Sequence, residues 1–493
     1  MVTPPAPDRL LDPAALDRLL ASAVEAARPL ADLTGPERAA LLDAVADALD
    51  TAADELVALA ADETRLPVPR LTGELARTTF QLRFYGQEIA SGRPLDQCTD
   101  PARPDWPPAP RPALRRLRVP IGPVVVFAAS NFPFAFSVAG TDTAAALAAG
   151  CPVVVKANPG HPELSRRTAA VAVEALAKAG APPGSLSLVY REEEGRAVLT
   201  DRRIRAATFT GSLRGGRALF DLAAARPEPI PFYGELGSVN PTFVTRAAAT
   251  RRGPYIWLGF VDSFTLGLGQ FCTKPGVLLV PAEAGAETAI VAALADRPGG
   301  DLLTGRIAEG YRAVRHELAG HPDVRIAFDG PSEGRSAAPT LLATTADALR
   351  ADPHGLLVEC FGPTALLVTY DDEESLLEIA GRLEGQLTAT VHGEEDDAVA
   401  PALLRELVDR AGRIVWNGWP TGVAVTHGMH HGGPYPATTA PLHTSVGTAA
   451  LDRFLRPIAL QEVPTAVLPA ALRPYATSLS TEESPAEEGQ HDT

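Results

Sequence analysis

From about residue 13 to residue 92, apolar positions recur every three or four residues, as in DPAALDRLLASAVEAA and GPERAALLDAVADALDTAADELVALAADE. That spacing lays one apolar stripe along a helix. Pro or Asp stands at the starts, where a helix tolerates a missing N–H or gains a cap. A Pro-rich connector at 100–112 (DPARPDWPPAPRP) then breaks regular structure and predicts a chain crossing the surface. Beyond it the period changes. Short β-rich runs at 123–129, 151–157, 185–190 and 204–211 alternate with Ala-rich helical stretches at 137–149, 162–179, 194–201 and 213–225. Strands that are apolar throughout, alternating with helices, predict βαβ units and a parallel sheet covered on both faces. A second α/β rhythm runs from about 240 to 416, with strands PTFV, GVLLV, TALLVTY, LTATVH and RIVWN and helices such as 285–297 and 396–411. The last stretch, 478–493, is acidic, nearly devoid of apolar residues, and expected to be a disordered tail.

Composition narrows the function classes. A chain of 493 residues has room for two or three compact units, and 46% hydrophobic with 21% charged residues is ordinary globular usage. Lys plus Arg number 44 against 60 Asp plus Glu, a net charge of 44 − 60 = −16. So acidic a chain is a poor ligand for nucleic acid or an anionic membrane. The cysteines (Cys98, Cys151, Cys272, Cys360) are far apart and form no C-x-x-C pair, which fits free thiols in a reducing compartment. The first twenty residues hold no basic segment followed by an apolar one, and the apolar stretch at 138–155 is broken by Thr141, Asp142, Thr143, Gly150 and Pro152. The expectation is a cytoplasmic protein without signal peptide or membrane span.

Several residues stand where chemistry is done. Phe209-Thr210-Gly211-Ser212, then Gly215-Gly216, lie at a strand-to-helix junction; glycines let backbone approach a phosphate there, or serve the turn alone. Cys272, between a helical segment and the strand GVLLV, is either an activated nucleophile or a small buried hydrophobe. Glu235 ends an apolar strand. Half-buried there, it would have a raised pKa and serve as general base; fully solvated, it would be a strand end and no more. Asn131 and Lys156 end parallel strands at the edge where open α/β sheets place ligands. The amide of Asn131 can donate to an oxyanion or simply form a turn before Pro133, and Lys156 can be a snorkelling surface charge. His427, His430 and His431 sit in a Gly/Pro-rich loop without nearby Asp or Glu, so no metal site is expected. No Cys–His pair suggests a dedicated hydrolase.

Together and in order, these motifs resemble the aldehyde dehydrogenase superfamily. The match runs through Ser130-Asn131-Phe132-Pro133, Val155-Lys156, Phe209-Thr210-Gly211-Ser212, Glu235-Leu236-Gly237-Ser238, Gln270-Phe271-Cys272-Thr273 and Glu359-Cys360-Phe361-Gly362-Pro363. RLTGELARTTFQLRFY, FPFAFSVAGTDTAAALAAGCPVVVKANPGHPE and HHGGPYPAT resemble the branch of 2,5-dioxopentanoate (α-ketoglutaric semialdehyde) dehydrogenases and NADP-preferring relatives. The resemblance implies an α/β fold: a parallel-sheet cofactor domain over 1–236, completed by about 440–475, an α/β catalytic domain over 237–439, and a small oligomerisation flap. It implies NAD(P)-dependent oxidation of an aldehyde to a carboxylic acid by a homodimer or homotetramer. Cys272 would form the thiohemiacetal and thioester, Asn131 and the Cys272 N–H would hold the oxyanion, and Glu235 would activate water. Lys156 is expected at the adenosine ribose, Gly211, Ser212 and Gly216 at the pyrophosphate turn, and Glu359 with Phe361 at the nicotinamide ribose.

The departures are informative. NAD-using relatives usually carry a Glu three residues after the cofactor Lys; here Pro159 stands there, so a 2′-phosphate meets no carboxylate and NADP is preferred over NAD, with His161 and Arg196 as candidate phosphate partners. Before TSVG the branch usually has an Asp and an Arg, whereas this chain reads Thr439-Ala440-Pro441-Leu442-His443, losing a candidate partner for a substrate carboxylate. An apolar or specialised aldehyde therefore stays open beside the semialdehyde. A CoA-acylating enzyme would lack Glu235, and a non-catalytic relative would lose Cys272, Glu235 or Asn131. Cys360 reads as a buried replacement of an aliphatic residue.

Overall fold

The computed structural model describes residues 11–468 and 472–473; the acidic stretch at 478–493 lies outside the described residues. Four helices open the chain, Pro13–Ala31, Gly35–Thr51, Ala53–Thr64 and Val68–Ala90. Asp12 caps the first, and Thr34 with Glu37 forms a reciprocal capping box on the second. The long apolar run from 35 to 63 is thus two helices, joined at Ala52.

The predicted βαβ region forms a five-stranded parallel sheet in the order Leu186–Val189, Val153–Lys156, Val124–Phe127, Ala206–Thr210, Phe232–Glu235. Side chains alternate across it. Val124 and Val126 join the core beneath the N-terminal helices with Leu42, Leu82 and Tyr85, while Val125 and Phe127 join Leu20, Ile204 and Phe232 on the other face. Both faces are therefore apolar, and each buried Val contributes roughly 1.5–3 kcal/mol.

A seven-stranded sheet follows, in the order Arg325–Phe328, Thr340–Thr345, Thr364–Tyr370, Val277–Pro281, Thr242–Val244, Gln386–His392, Ala411–Trp416. Only the Arg325–Phe328 edge is antiparallel. The strand Thr340–Thr345 is not anticipated by the hydropathy pattern, because its reading, TLLATT, holds too short an apolar run. The helix Arg246–Thr265 covers one face with Trp257, Phe260 and Phe264.

A third sheet is antiparallel and small: Cys98–Asp100, Leu114–Pro120 and, from far along the chain, Leu455–Gln461. The Pro-rich connector between its first two strands is exposed over 101–110. No helix of the described residues is long and apolar enough to cross a membrane.

Candidate active site

Cys272 follows the helix Arg246–Thr265 and a tight turn, Leu266–Gly269, and precedes the buried strand Val277–Pro281. The turn needs glycine: Gly269 has φ +65°, and a Cβ there would collide with the Gly362 carbonyl oxygen. Gln270 ties the segment down, donating from Nε2 to Gly267 O at 3.2 Å and accepting the Leu303 N–H at 2.9 Å. Asn240 Nδ2 donates to the carbonyls of Cys272 (2.8 Å) and Lys274 (3.0 Å). The nucleophile candidate is thus held from both sides, and it is half-buried.

Its sulfur meets a residue from a distant loop. Sγ lies 3.4 Å from His431 Nε2, and that nitrogen lies 3.0 Å from Glu235 Oε1. The second contact lies within ion-pair distance but is not aligned as a ring N–H hydrogen bond. Glu235 ends the strand Phe232–Glu235, and its Oε2 accepts from Ser445 Oγ at 2.6 Å. The loop is fixed in turn: the His431 N–H donates to Thr444 Oγ1 at 2.8 Å and the Ser445 N–H to the His431 carbonyl at 2.9 Å. The absence of a Cys–His pair, expected from sequence, is overturned, because the partners are brought together across 159 positions by folding.

Electrostatics correct a second expectation. Burial pushes the Glu235 carboxyl up, but the contact with His431, the Ser445 hydroxyl and the Cys272 thiol outweigh it and hold Glu235 below the usual carboxylate range, not above it. The Cys272 thiol is pushed well up by burial, then by the Glu235 and Glu359 carboxylates, while Arg77 pulls it down. The group therefore rests as a thiol beside a nitrogen that can take its proton. Asn131 is 8% exposed, and its Nδ2 donates at 3.1 Å to the Gln270 carbonyl, two residues before the thiol.

In the five-stranded sheet, Lys156 ends its strand 8% exposed and makes no salt bridge among the described residues. Burial lowers its pKa, with Glu192 opposing. A Cβ on Gly195 would stand 2.8 Å from the Lys156 side chain, so the helix Glu192–Thr200 packs directly on it. Gly211 and Ser212 are exposed at the start of the helix Leu213–Ala224, where Ser212 Oγ accepts the Gly215 N–H at 3.3 Å. An unpaired ammonium and an open helix start fit a dinucleotide: Lys156 would hold a ribose, and Gly211 and Ser212 a pyrophosphate.

Other cofactor candidates fare differently. Gly216 is buried, and a Cβ there would collide with Leu236. It lets helix and strand pack closely and presents no free surface to a phosphate. His161 is fully buried, with Nε2 3.1 Å from Ala129 O and Nδ1 3.2 Å from Ser165 Oγ. Burial pushes its pKa down to about 4, so it is a neutral core residue and not the phosphate partner expected. Pro159 and Arg196 are exposed. Arg306, which the motifs do not mark, starts the helix Gly305–Ala319, pairs with Glu192 at 3.3 Å and adds positive potential at Lys156. Glu359 and Phe361 are half-buried, and the Glu359 carboxylate lies against Gly237. Lys274, beneath it, donates to the carbonyls of Cys360 (2.6 Å), Gly362 (3.2 Å) and Thr364 (2.7 Å). Cys360 is buried, as its aliphatic counterparts would be.

The three histidines of the Gly/Pro-rich loop do not converge. His427 lies on the Phe84 ring at 4.7 Å, His430 is half-buried, and His431 turns inward. Instead, ligating atoms of Glu235, Cys272 and His431 fall within 4.8 Å of one another, a spacing that could hold an ion.

Against known proteins, the sequence model of the aldehyde dehydrogenase family matches residues 9–300. Alpha-ketoglutaric semialdehyde dehydrogenase 2 of Azospirillum brasilense is 46% identical over 455 residues, which cover 91% of this chain and 86% of that protein. Alpha-ketoglutaric semialdehyde dehydrogenase of Acinetobacter baylyi is 39% identical over 464 residues, covering 93% and 88%. Among solved structures, aldehyde dehydrogenase 21 from Physcomitrella patens, in complex with the reaction product succinate, aligns with a TM-score of 0.77 at 22% identity, covering 93% of this chain and 92% of that one.

Proposed function

The chain belongs to the aldehyde dehydrogenase family, and from that premise we propose that Cys272, His431, Glu235 and Asn131 carry the NAD(P)-dependent oxidation of a semialdehyde to its acid. The observation that supports this most is His431 Nε2 standing between the Cys272 thiol, at 3.4 Å, and the Glu235 carboxylate, at 3.0 Å.

In this reading the thiol proton passes from Sγ to His431 Nε2, and the resulting imidazolium is stabilised by Glu235. The thiolate attacks the aldehyde carbon, a C–S bond forms, and the carbonyl π electrons move onto oxygen. That oxyanion is met by Asn131 Nδ2 and the Cys272 N–H, whose donors are already ordered before reaction. The nicotinamide cofactor, when bound, supplies the hydride acceptor that makes the Cys272 thioester possible. Glu235 then takes a proton from water, hydroxide attacks the thioester carbon, and the C–S bond breaks to release the acid. A cavity of about 20 Å³ adjoins Glu235, lined by His431, Thr438, Thr444 and Ser445, with room for one such water.

The substrate proposed is the semialdehyde named in both relatives, 2,5-dioxopentanoate. For the cofactor we propose NADP over NAD, since Pro159 presents no carboxylate to a 2′-phosphate and Arg306 and Lys156 make that end positive. The first sheet is taken as the cofactor domain and the second as the thiol-bearing one.

A hydrolase would use the same Cys272–His431 contact. Lys156 and the open helix start at Ser212 favour the dehydrogenase, because hydrolysis has no use for them. The test is reduction of NADP and of NAD by the purified protein with 2,5-dioxopentanoate, succinic semialdehyde and aliphatic and aromatic aldehydes. Cofactor reduction is expected, and Cys272→Ser is expected to lower it by roughly 10⁴-fold or more while cofactor binding survives. Near-normal turnover in that variant would sink the mechanism.

A further inference from the structure

We propose that Arg70 and Arg77 form the subsite that recognises a carboxylate at the end of the substrate opposite the aldehyde. The proposal rests on the dehydrogenase reading and specifies its substrate class: a short aldehyde with a terminal carboxylate.

Both residues stand on the helix Val68–Ala90, seven positions apart, which places them two turns apart on one face. Each guanidinium lies over an aromatic ring next in sequence to a catalytic candidate. Arg70 Cζ is 5.1 Å from the Phe132 ring and 4.7 Å from the Phe271 ring. Arg77 Cζ is 5.8 Å from Phe132 and 5.7 Å from Phe136. Phe132 follows Asn131 and Phe271 precedes Cys272, so the two cations bracket the approach to the thiol. Arg77 also feels the charges of Cys272 and Glu235.

These arginines are short of partners. Arg70 Nη2 donates to the Asn131 carbonyl at 2.7 Å, but Nη1 is buried without an acceptor. Arg77 leaves both Nε and Nη2 buried and unpaired among the described residues. Nε and Nη2 lie on one edge of the guanidinium and form the fork that grips a carboxylate through two parallel bonds. A buried donor left unmet is costly, and a bound carboxylate would remove that cost. The carboxylate on the same helix, Glu74, stands 3.9 Å from Arg70, and its Oε1 already accepts the N–H groups of Phe134 (2.9 Å) and Ala135 (3.1 Å). Glu74 is thus engaged by backbone, and the two guanidiniums keep donors unmet among the described residues.

Arg413 is the natural rival, since it too feels the Cys272 charge. Its Nη1 and Nη2 donate to the carbonyls of Gly422 and Pro420, which leaves only Nε unmet and no Nε–Nη2 fork open to a carboxylate. The stretch before TSVG, where the branch usually supplies an Arg, offers none: Leu442 there is 91% exposed and His443 packs on Tyr233 at 5.0 Å. The carboxylate partner missing from that stretch is supplied from the helix Val68–Ala90.

The experiment compares kcat/KM for 2,5-dioxopentanoate with that for pentanal, which has the same chain length and no carboxylate, in the full-length protein and in Arg77→Met, Arg77→Lys and Arg70→Met. The expected result is a fall of about 10- to 100-fold in the ratio of the two values for Arg77→Met, mainly through KM, as for loss of a charge-assisted bond. Arg77→Lys should recover part of it. Arg83→Met, on the same helix but paired outward with Asp47 and Asp50, should leave the ratio unchanged. An unaltered ratio in Arg77→Met and Arg70→Met would overturn the proposal, as would native protein that oxidises pentanal as efficiently as the carboxylate substrate. Calorimetric titration with 2-oxoglutarate, the acid formed from 2,5-dioxopentanoate, separates the two readings: if no aldehyde is oxidised, the dehydrogenase reading fails, while binding lost in Arg77→Met still supports the subsite and equal binding overturns it.

Discussion

Two carboxylates act on the Cys272 thiol, Glu235 buried and Glu359 half-buried, and their surroundings drive them in opposite directions. Around Glu235, burial is outweighed by His431, by the Ser445 hydroxyl at 2.6 Å and by the Cys272 thiol, so the group is held below the usual range. Around Glu359, burial wins. Its cation, Lys274, and the Ser238 N–H pull the other way, but the Lys274 ammonium is committed to three carbonyl oxygens, and Glu235 adds repulsion. Depth alone does not decide whether a carboxylate is charged. The number of donors aimed at it does. Glu235 is thereby suited to balance an imidazolium and accept a water proton, and Glu359 to share hydrogen bonds with neutral hydroxyls.

The sharpest break of this contrast is removal of the charge at Glu235. Glu235→Gln should keep a pre-steady-state burst of reduced cofactor while steady-state turnover falls by roughly 10²–10⁴-fold, the range for a lost general base. Rapid-quench or stopped-flow traces read both phases at once. A burst that vanishes together with thiol reactivity would move Glu235 from deacylation to activation of Cys272.

Next is His431, the group that links the thiol to that carboxylate. His431→Asn keeps a polar side chain but removes the proton acceptor, so the burst itself should slow by about 10²–10³-fold. Alkylation of Cys272 by iodoacetamide should slow with it, and both should recover as pH rises, because the buried thiol must then lose its proton to solvent. Unchanged alkylation rates would show that His431 does not activate the thiol.

His431 also marks the limit of what the sequence could reveal. The motifs around Asn131, Lys156, Ser212, Glu235 and Cys272 lie at strand ends and helix starts, and hydropathy rhythm placed those boundaries within a few residues of where they are found. His431 lay in a quoted motif, but its partner is 159 positions away and nothing local points to it. His161 failed for the converse reason. Two residues from Pro159 it looked available, yet Ala129 O and Ser165 consume both ring nitrogens. The direction of the Glu235 shift was misread because burial is visible in an apolar strand and the donors that overrule it are not. Arg70 and Arg77 lie in RLTGELARTTFQLRFY, a stretch marked only by its resemblance to the branch; the rings packed on them show where they face.

A third carboxylate, introduced at an exposed position, tests the opposite limit from burial. Pro159→Glu places a charge at an exposed position, so it stays ionised and acts by simple repulsion and hydrogen bonding. The ratio of NADP to NAD affinity should fall by about one to two decades, the value of one charge-assisted bond gained or lost. Fluorescence titration of both reduced cofactors measures it. Tighter native binding of NAD than NADP would reverse the assignment without touching aldehyde oxidation.

The smallest effect is on stability, and its sign differs between the two carboxylates. Glu359 has a raised pKa when folded, so between the unfolded value and the folded one the native state binds more protons than the unfolded chain, and stability falls as pH rises through that window. Glu235 has a lowered pKa, so its contribution is present above the unfolded value and is lost as pH falls through the folded one. Replacing Glu359 with Gln should therefore flatten the decline on the alkaline side, raising Tm relative to native protein by about a degree or two near neutral pH and by less in acid. Replacing Glu235 with Gln should do the reverse, lowering Tm near neutral pH and converging with native protein in acid. Parallel Tm-against-pH curves for both variants would mean that the two sites hold their protons alike, and the contrast drawn from Ser445, His431 and Lys274 would fall.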